Sequence, residues 1–589
     1  MKKNVLALSI TAALVGLTGG AHAMTGALDG ATAGTELKLN GDGFGHFLLV
    51  PYFTTQDKNN TLINIVNTST TVGKAVKVRF RGAANSDDLF DFQVFLSPGD
   101  VWSANISKNA SGQSQLTTSD ASCTKPDKGT INSTPFLTTR LDTTMTADQK
   151  TNGTREGYVE IFNMGDIPKL LAGPAAVADI DYIQTTAGVD ATVGATINPL
   201  YTAIKHVSKV PPCSGAAWTF LDTTNLQWSA AGAAANTPRS AGLLPPTTGL
   251  IANWTVINVV SAAAWSGEAV AVQSVVNATG VASTGNVVYW PQTGALVGGA
   301  GVIDLYSADP LLRTDRVGKF DGANYITDTA PGVAAGFFDL PDFSTPYTRN
   351  ASTLPLPPYP YTIDSPLFQA QGITASIAAS AVTNEYLTDT SISATTDWVF
   401  SQPTRRYNVA FKYNATISAT DDGRRFSDIV TKAAATPAGT VMTGAFVNGY
   451  FLQQNTLIGV NTNFNGRQIC TKNIAPASFD REETGVLAPT VVVISPSTPA
   501  DPLSFCGEAT VLSINNGGIV SGGTGSLKAS VAVKDLDAGF RDGWLRLGTP
   551  AAAPLAGAVN GLPMVGAAFV RAFSGTQSFG ATYNHRLSR

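Results

Sequence analysis

From Gly41 to Ile106 the chain reads as a series of short apolar and β-branched runs, divided by clusters of Asn, Asp and Gly. The run HFLLVPYF is followed by the polar turn QDKNN, then by TLINIVNTS, KAVKVRFRG, the turn AANSDD and LFDFQVFLSPGDVWSANI. Within them Phe90, Phe92, Val94 and Leu96 alternate with Asp91, Gln93 and Phe95. A period of two sends successive side chains to opposite faces of a strand, whereas a helix needs a period near 3.6. Strands joined by short turns predict an antiparallel meander, sandwich or barrel. REGYVEIFNMG, residues 155–165, is a further strand of the same kind.

One of these strands carries an unusual load. In KAVKVRFRG, Val76, Val78 and Phe80 alternate with Lys77, Arg79 and Arg81, so three cations share one face. Asp87, Asp88 and Asp91 follow in the next turn and strand, where cross-strand pairing of opposite charges would match them. Lipid exposure is disfavoured, because each cation would cost about 2–4 kcal/mol near a membrane midplane. The stretch is therefore expected to be a solvent-facing sheet or an interface.

The first residues point to export. Lys2 and Lys3, the apolar run Val5 to Leu17 and Ala21-His22-Ala23 form the three parts of a secretory signal peptide cleaved after Ala23. Its removal takes the formal charge from −4 to −6. No later run is apolar and long enough for a membrane helix. Charged residues make up only 14% of the chain, against roughly 25% in ordinary globular proteins. A charge-poor, mildly acidic surface is a poor ligand for nucleic acid, whose affinity comes from phosphate neutralisation. It suits packing against copies of itself, since little repulsion opposes association. Four cysteines, Cys123, Cys213, Cys470 and Cys506, in an oxidising compartment predict two disulfides. Locality favours Cys123 with Cys213 and Cys470 with Cys506.

Beyond the N-terminal strands the pattern changes. We read 1–23 as signal peptide, 24–165 as an N-terminal β region, 166–384 as an Ala/Gly/Thr/Pro-rich insertion and 385–589 as a C-terminal β region. The insertion contains strand fragments such as NWTVINVV and the proline-rich LPLPPYPY, which suits a stiff polyproline II connector. Alternation returns in TDWVFSQPTRRYNVAFKYNATISAT and GAFVNGYFLQQNTLIGV. The expected fold class is all-β, an antiparallel sandwich-like framework built from the N- and C-terminal regions around a long loop-rich insertion.

Catalytic motifs are sparse. After processing only His46, His206 and His585 remain as imidazoles, and neither G-x-S-x-G nor H-E-x-x-H occurs. Acidic pairs do occur: Asp87-Asp88, Asp179 with Asp181, Asp339 with Asp342, and Asp421-Asp422. Their Gly, Asn and Ser neighbours suit turns. A glycosidase needs only two carboxylates and so is not excluded by motif. DLDAGFRDG makes Asp535, Asp537 and Asp542 the calcium candidates, although Phe540 occupies the place where an EF-hand needs Gly. No catalytic residue is assigned, and calcium is the one cofactor considered. The eight tryptophans are scattered, which fits a β core better than a sugar platform.

Several segments taken together resemble a known group. GFGHFLLVPYFTTQDKNNTLINIVNTS, KAVKVRFRGAANSDDLFDFQVFLSPGDVWSA, REGYVEIFNMG, TNEYLTDTSISATTDWVFSQPTRRY and GLPMVGAAF are similar, in this order, to blocks of Gram-negative cell-surface proteins, some described as surface-layer (S-layer) proteins. They cover 103 of the 589 residues and carry no catalytic residues. The resemblance implies a place at the cell surface, self-assembly, contact with outer-membrane surface components, and a single β framework formed by the two ends. The alternatives are an outer-membrane β-barrel or porin, and a secreted carbohydrate-binding protein or glycosidase.

Overall fold

A computed structural model describes residues lying mainly within 36–171, 196–222, 241–275, 373–413, 455–487, 503–515 and 525–589, with short pieces at 226–228, 287–289, 320–325 and 423–426. The signal peptide, LPLPPYPY and the acidic pairs at 179/181, 339/342 and 421/422 lie outside the described residues.

The framework is all-β, as the patterning predicts, and is built from four large sheets. Sheet I contains β1 (Glu36–Leu39), β2 (Phe47–Thr54), β4 (Val72–Gly82), β5 (Asp88–Leu96), β8 (Cys123–Lys125), β9 (Glu156–Pro168) and β12 (Val270–Val275), in the order β1-β12-β2-β9-β4-β5-β8. Sheet II contains β3 (Asn59–Asn67), β6 (Val101–Lys108), β7 (Ser114–Thr117), β10 (Leu250–Asn258) and β11 (Ala263–Glu268), ordered β11-β10-β3-β6-β7. The segment 250–275 lies within the region read as insertion, yet it supplies three framework strands. β3 and β10 alternate buried and half-buried positions along their whole length, as strands with one covered face should. β4 and β9 are buried at every position. Sheet I is therefore covered on both faces.

The C-terminal half repeats the arrangement. Sheet III holds β14 (Thr395–Ser401), β18 (Ala509–Asn515), β19 (Val533–Asp537), β21 (Val565–Ser574) and β22 (Gln577–Asn584), ordered β19-β18-β14-β21-β22. Sheet IV runs β15 (Thr456–Asn461), β16 (Gly466–Phe479), β20 (Asp542–Gly548), β13 (Ala381–Leu387), β23 (Arg586–Ser588), with β17 (Leu503–Cys506) also on β16. Pairing in all four sheets is antiparallel except for β18 with β19.

Sheet III serves two cores. Trp398, Phe400, Leu512, Ile514 and Ala568 face sheet IV. The alternate residues Val399, Ala509, Val511, Ala567 and Phe569 join the core of sheets I and II. Phe569 enters that core against Tyr52, Trp254 and Trp265, with ring centroids at 6.3, 5.4 and 6.4 Å. At the rim β22 crosses β11 so closely that a Cβ on Gly580 would lie 2.1 Å from the Ala264 carbonyl. Sequence composition explains one further contact. Pro51 has no N–H to give a ladder, and the β2/β9 register shifts between Val50 and Phe53. The Pro51 carbonyl is taken instead by the Ser401 hydroxyl of β14.

Both disulfides are the local pairs, Cys123–Cys213 and Cys470–Cys506. The first ties β8 to the short helices Pro199–Ile204 and Ala216–Phe220, which cover one end of the outer face of sheet I.

Candidate functional site

The cationic face of β4 is not exposed to solvent. Lys77, Arg79 and Arg81 are 0–1% exposed and lie beneath the second sandwich and the middle region. This corrects the solvent-facing alternative, and it removes these residues as a contact between separate molecules. The interface is internal. Lys77 pairs with Asp91 at 2.7 Å and donates to Gln292 at 2.8 Å. The Nε atoms of Arg79 and Arg81 lie 3.3 and 3.0 Å from one Glu160 oxygen. Arg79 also stacks over Phe162 at 5.1 Å.

The turn AANSDD, which composition marks as a surface loop, is buried with it. The Asn85 amide donates to the Arg467 carbonyl (2.7 Å) and its oxygen accepts from the Ile469 amide (3.2 Å). Arg406 donates to the Asn85 and Ser86 carbonyls, and Arg405 pairs with Glu508 at 2.9 Å. Asp87 accepts from the Tyr413 hydroxyl at 2.6 Å and faces Arg406 at 3.9 Å, while Asp88 pairs with Arg140 at 2.7 Å. Burial raises the Asp87 carboxyl to about 6 against the opposing pull of Arg406. Burial likewise raises Glu508, with Arg405 opposing. Asp397 is raised to about 6, again by burial, though it accepts from the Leu527 amide and the Ser513 hydroxyl. A buried ion that loses its partner is strongly destabilising, so this cluster holds the two sandwiches in one geometry. All five of the sequence blocks quoted together above contribute residues to the joint, among them Pro51, Arg81, Glu160, Arg405 and Phe569.

The calcium candidates are not assembled. Asp535 and Asp537 lie on β19, and Asp542 opens β20. Asp537 accepts the Gly539 amide at 2.8 Å, and Asp542 pairs with Arg481 at 3.1 Å. Among the described residues no group of three or more His, Cys, Asp or Glu side chains is placed to hold a metal.

The three histidines are spread apart. His46 is buried and accepts the Ser274 amide at Nδ1, 3.1 Å. His585 stacks on Phe400 at 4.7 Å, and burial pushes its pKa down to about 3. Its Nε2 lies 3.0 Å from the Val399 carbonyl and its Nδ1 2.9 Å from the Asn384 amide nitrogen, so the neutral ring carries its proton on Nε2. His206 meets Ser97 (3.3 Å) and Asp100 (3.6 Å), a trio no motif announced. Both approach Nδ1, whereas a catalytic triad needs the serine and the carboxylate on opposite ring nitrogens. Asp100 is instead occupied with the SPGD turn, accepting from the Ser97 and Val101 amides at 3.1 and 2.9 Å.

A concave site lies elsewhere, at the outer edge of the second sandwich. β23 pairs only with Ala381, Val382 and Thr383 of β13, so among the described residues the β13 edge from Asn384 onward has no strand neighbour on that side. Side chains seal it. Trp398 Nε1 donates to the Glu385 carbonyl (3.1 Å), and the Thr396 hydroxyl serves both the N–H and the C=O of Leu387 (2.9 and 2.8 Å). A cleft of about 930 Å³ follows this edge, within the range usual for small-molecule sites. Phe479, Trp544 and Glu385 stand in register across three adjacent strands on one wall. The Phe479 and Trp544 rings stack at 4.1 Å and 11°, yet Trp544 remains 39% exposed. Tyr386 and Tyr583 complete the aromatic lining, and Arg586 and Asp480 add charge. Asp480 accepts the Glu482 and Thr484 amides. Tyr386 is only 2% exposed, and its hydroxyl has no hydrogen-bond partner among the described residues. Burial, with Asp542 next in effect, raises its pKa to about 12, so it is a donor at any physiological pH.

Trp102, Trp254, Trp265 and Trp398 are core residues, as the scattered placement predicts. Among the described residues Trp218 is half-buried and Trp544 is exposed, and the place of Trp544 in DGWLRLG, between a turn and a one-face strand, is a faint sequence sign of it. No family model matches the chain, and no curated protein or solved structure matches it at a significant level.

Proposed function

We propose that the chain is an exported structural protein of the cell surface that assembles with copies of itself, as the subunit of an S-layer lattice. The joint between the sandwiches is the observation that carries this reading. Among the described residues seven basic and eight acidic side chains are buried, nearly balanced, and many of them lie where the halves meet. These charges are spent inside the molecule, and a body with both halves locked together presents fixed faces to its neighbours. The two disulfides fit an oxidising compartment outside the cytoplasm. The described strands form open sheets packed face to face, an arrangement that lends no support to the β-barrel alternative.

Assembly is tested on the processed chain by light scattering and negative-stain imaging at concentrations well above micromolar, with and without millimolar calcium. Ordered arrays or large oligomers are expected. A chain that stays monomeric in both conditions overturns the reading. Assembly that proceeds equally without calcium shows that calcium is not required for it.

A further inference from the structure

We propose that the cleft along the open edge of β13 binds a neutral carbohydrate chain. Assembly does not require such a site, so this reading stands or falls independently of the lattice. Three features converge. The first is an aromatic surface: Trp544 is backed on one ring face by Phe479 and still 39% exposed, and Tyr583, 47% exposed, stands at the same cleft. Flat rings with polar rims suit the flat C–H faces of pyranose rings, which are apolar in the middle and polar at the margin. The second is the Tyr386 hydroxyl, buried at the cleft without a partner among the described residues. A buried hydroxyl with no partner is costly, and a ligand hydroxyl within reach removes that cost. The third is charge. Glu385 and Asp480 are offset by Arg481 and Arg586, so the lining is formally neutral and favours neither an anion nor a cation. Carboxylate and guanidinium groups in the same lining match ligand hydroxyls, which both donate and accept.

The site's form also argues against a peptide strand. β-strand addition needs free backbone N–H and C=O groups on an edge. Here Trp398 and the Asn384 side chain already occupy the C=O and N–H of Glu385, and Thr396 occupies both groups of Leu387. What remains is side-chain chemistry, which is how sugars are held.

The test uses the full processed chain and four neutral probes: cellohexaose, chitohexaose, laminarihexaose and mannohexaose. Binding is followed by tryptophan fluorescence and calorimetry up to about 10 mM, well above the ~1 mM range of weak sites. At least one probe is expected to bind and to change the Trp544 emission. Trp544→Ala should weaken that probe at least tenfold. Tyr386→Phe, which removes a hydroxyl with no protein partner, should weaken it about fivefold, with the thermal midpoint unchanged. Binding that survives both substitutions overturns the site assignment. Binding only to a charged polymer such as polygalacturonate overturns the neutral class. No binding to any probe overturns the proposal outright. None of these results bears on whether the chain forms arrays.

Discussion

Glu160 is the keystone of the buried charge cluster, and its removal gives the sharpest test of the joint. One of its carboxylate oxygens lies 3.0 and 3.3 Å from the Nε atoms of Arg81 and Arg79, and all three residues are essentially without solvent. At an effective dielectric of about 20, a unit pair with charge centres about 4 Å apart contributes about 4 kcal/mol. Two such pairs give about 8 kcal/mol before desolvation. Removing the carboxylate charge also removes its own burial cost, several kcal/mol, while both guanidiniums stay buried. Glu160→Gln should therefore destabilise the protein by about 3–5 kcal/mol. That is a large share of a stability of about 5–15 kcal/mol typical of a domain. The assay is urea unfolding at neutral pH followed by tryptophan fluorescence. Replacing the whole set by apolar residues of similar volume (Arg79→Met, Arg81→Met, Glu160→Leu) should restore most of the loss, because no uncompensated ion is left inside. A Glu160→Gln protein within about 1 kcal/mol of the parent would refute the reasoning. It would mean that solvent reaches the cluster or that the guanidiniums are satisfied without it.

Other consequences can be measured on the same protein. Asp397 has a folded pKa raised to about 6, so its contribution is full at low pH and declines as pH rises through that value. Asp397→Asn should gain stability relative to the parent between about pH 4 and 6, by up to about 1.4 kcal/mol per pH unit, and the difference should be flat above pH 7. A constant difference across that window would show that the carboxyl is solvated. Phe569→Ala should cost about 3–5 kcal/mol, since it opens a cavity among Tyr52, Trp254 and Trp265, and calorimetry would register it in the unfolding of both halves. Nitrogen-15 shifts of His585 should report a neutral ring with the proton on Nε2 down to about pH 4, and an imidazolium at pH 5 would contradict the burial described here.

Much of the architecture is legible in the residues. The strand at 72–82 contains the whole of KAVKVRFRG, that at 88–96 falls on the alternating run, and those at 47–54 and 59–67 fall on the apolar runs between polar turns. The cysteines pair with their nearer neighbours, as loop closure favours. What alternation does not report is which face is covered. Lys77, Arg79 and Arg81 have the pattern of a wet face because their partners lie in distant parts of the sequence, Gln292 and Glu160 among them. AANSDD reads as a surface turn for the same reason: the groups that bury it, Arg405, Arg406 and Arg467, are more than 300 residues away. The cleft was equally hidden. Its aromatic wall needs Phe479 and Trp544 in cross-strand register, and pairing between strands that far apart leaves no local signal.

Sheet III bears on how such a chain can be made. Tyr52, Trp254 and Trp265 belong to the N-terminal sandwich, yet the ring that covers them, Phe569, is synthesised last among these partners. A nascent N-terminal half therefore has an unroofed core, with Arg81 and Glu160 beside empty space where Arg405 and Glu508 will later stand. The Cys123–Cys213 disulfide can close within that half, whereas compaction of the whole waits for the late strands to arrive. Any truncation that removes β21 should accordingly leave the first half sticky and prone to capture by chaperones or proteases, although every one of its own strands is present.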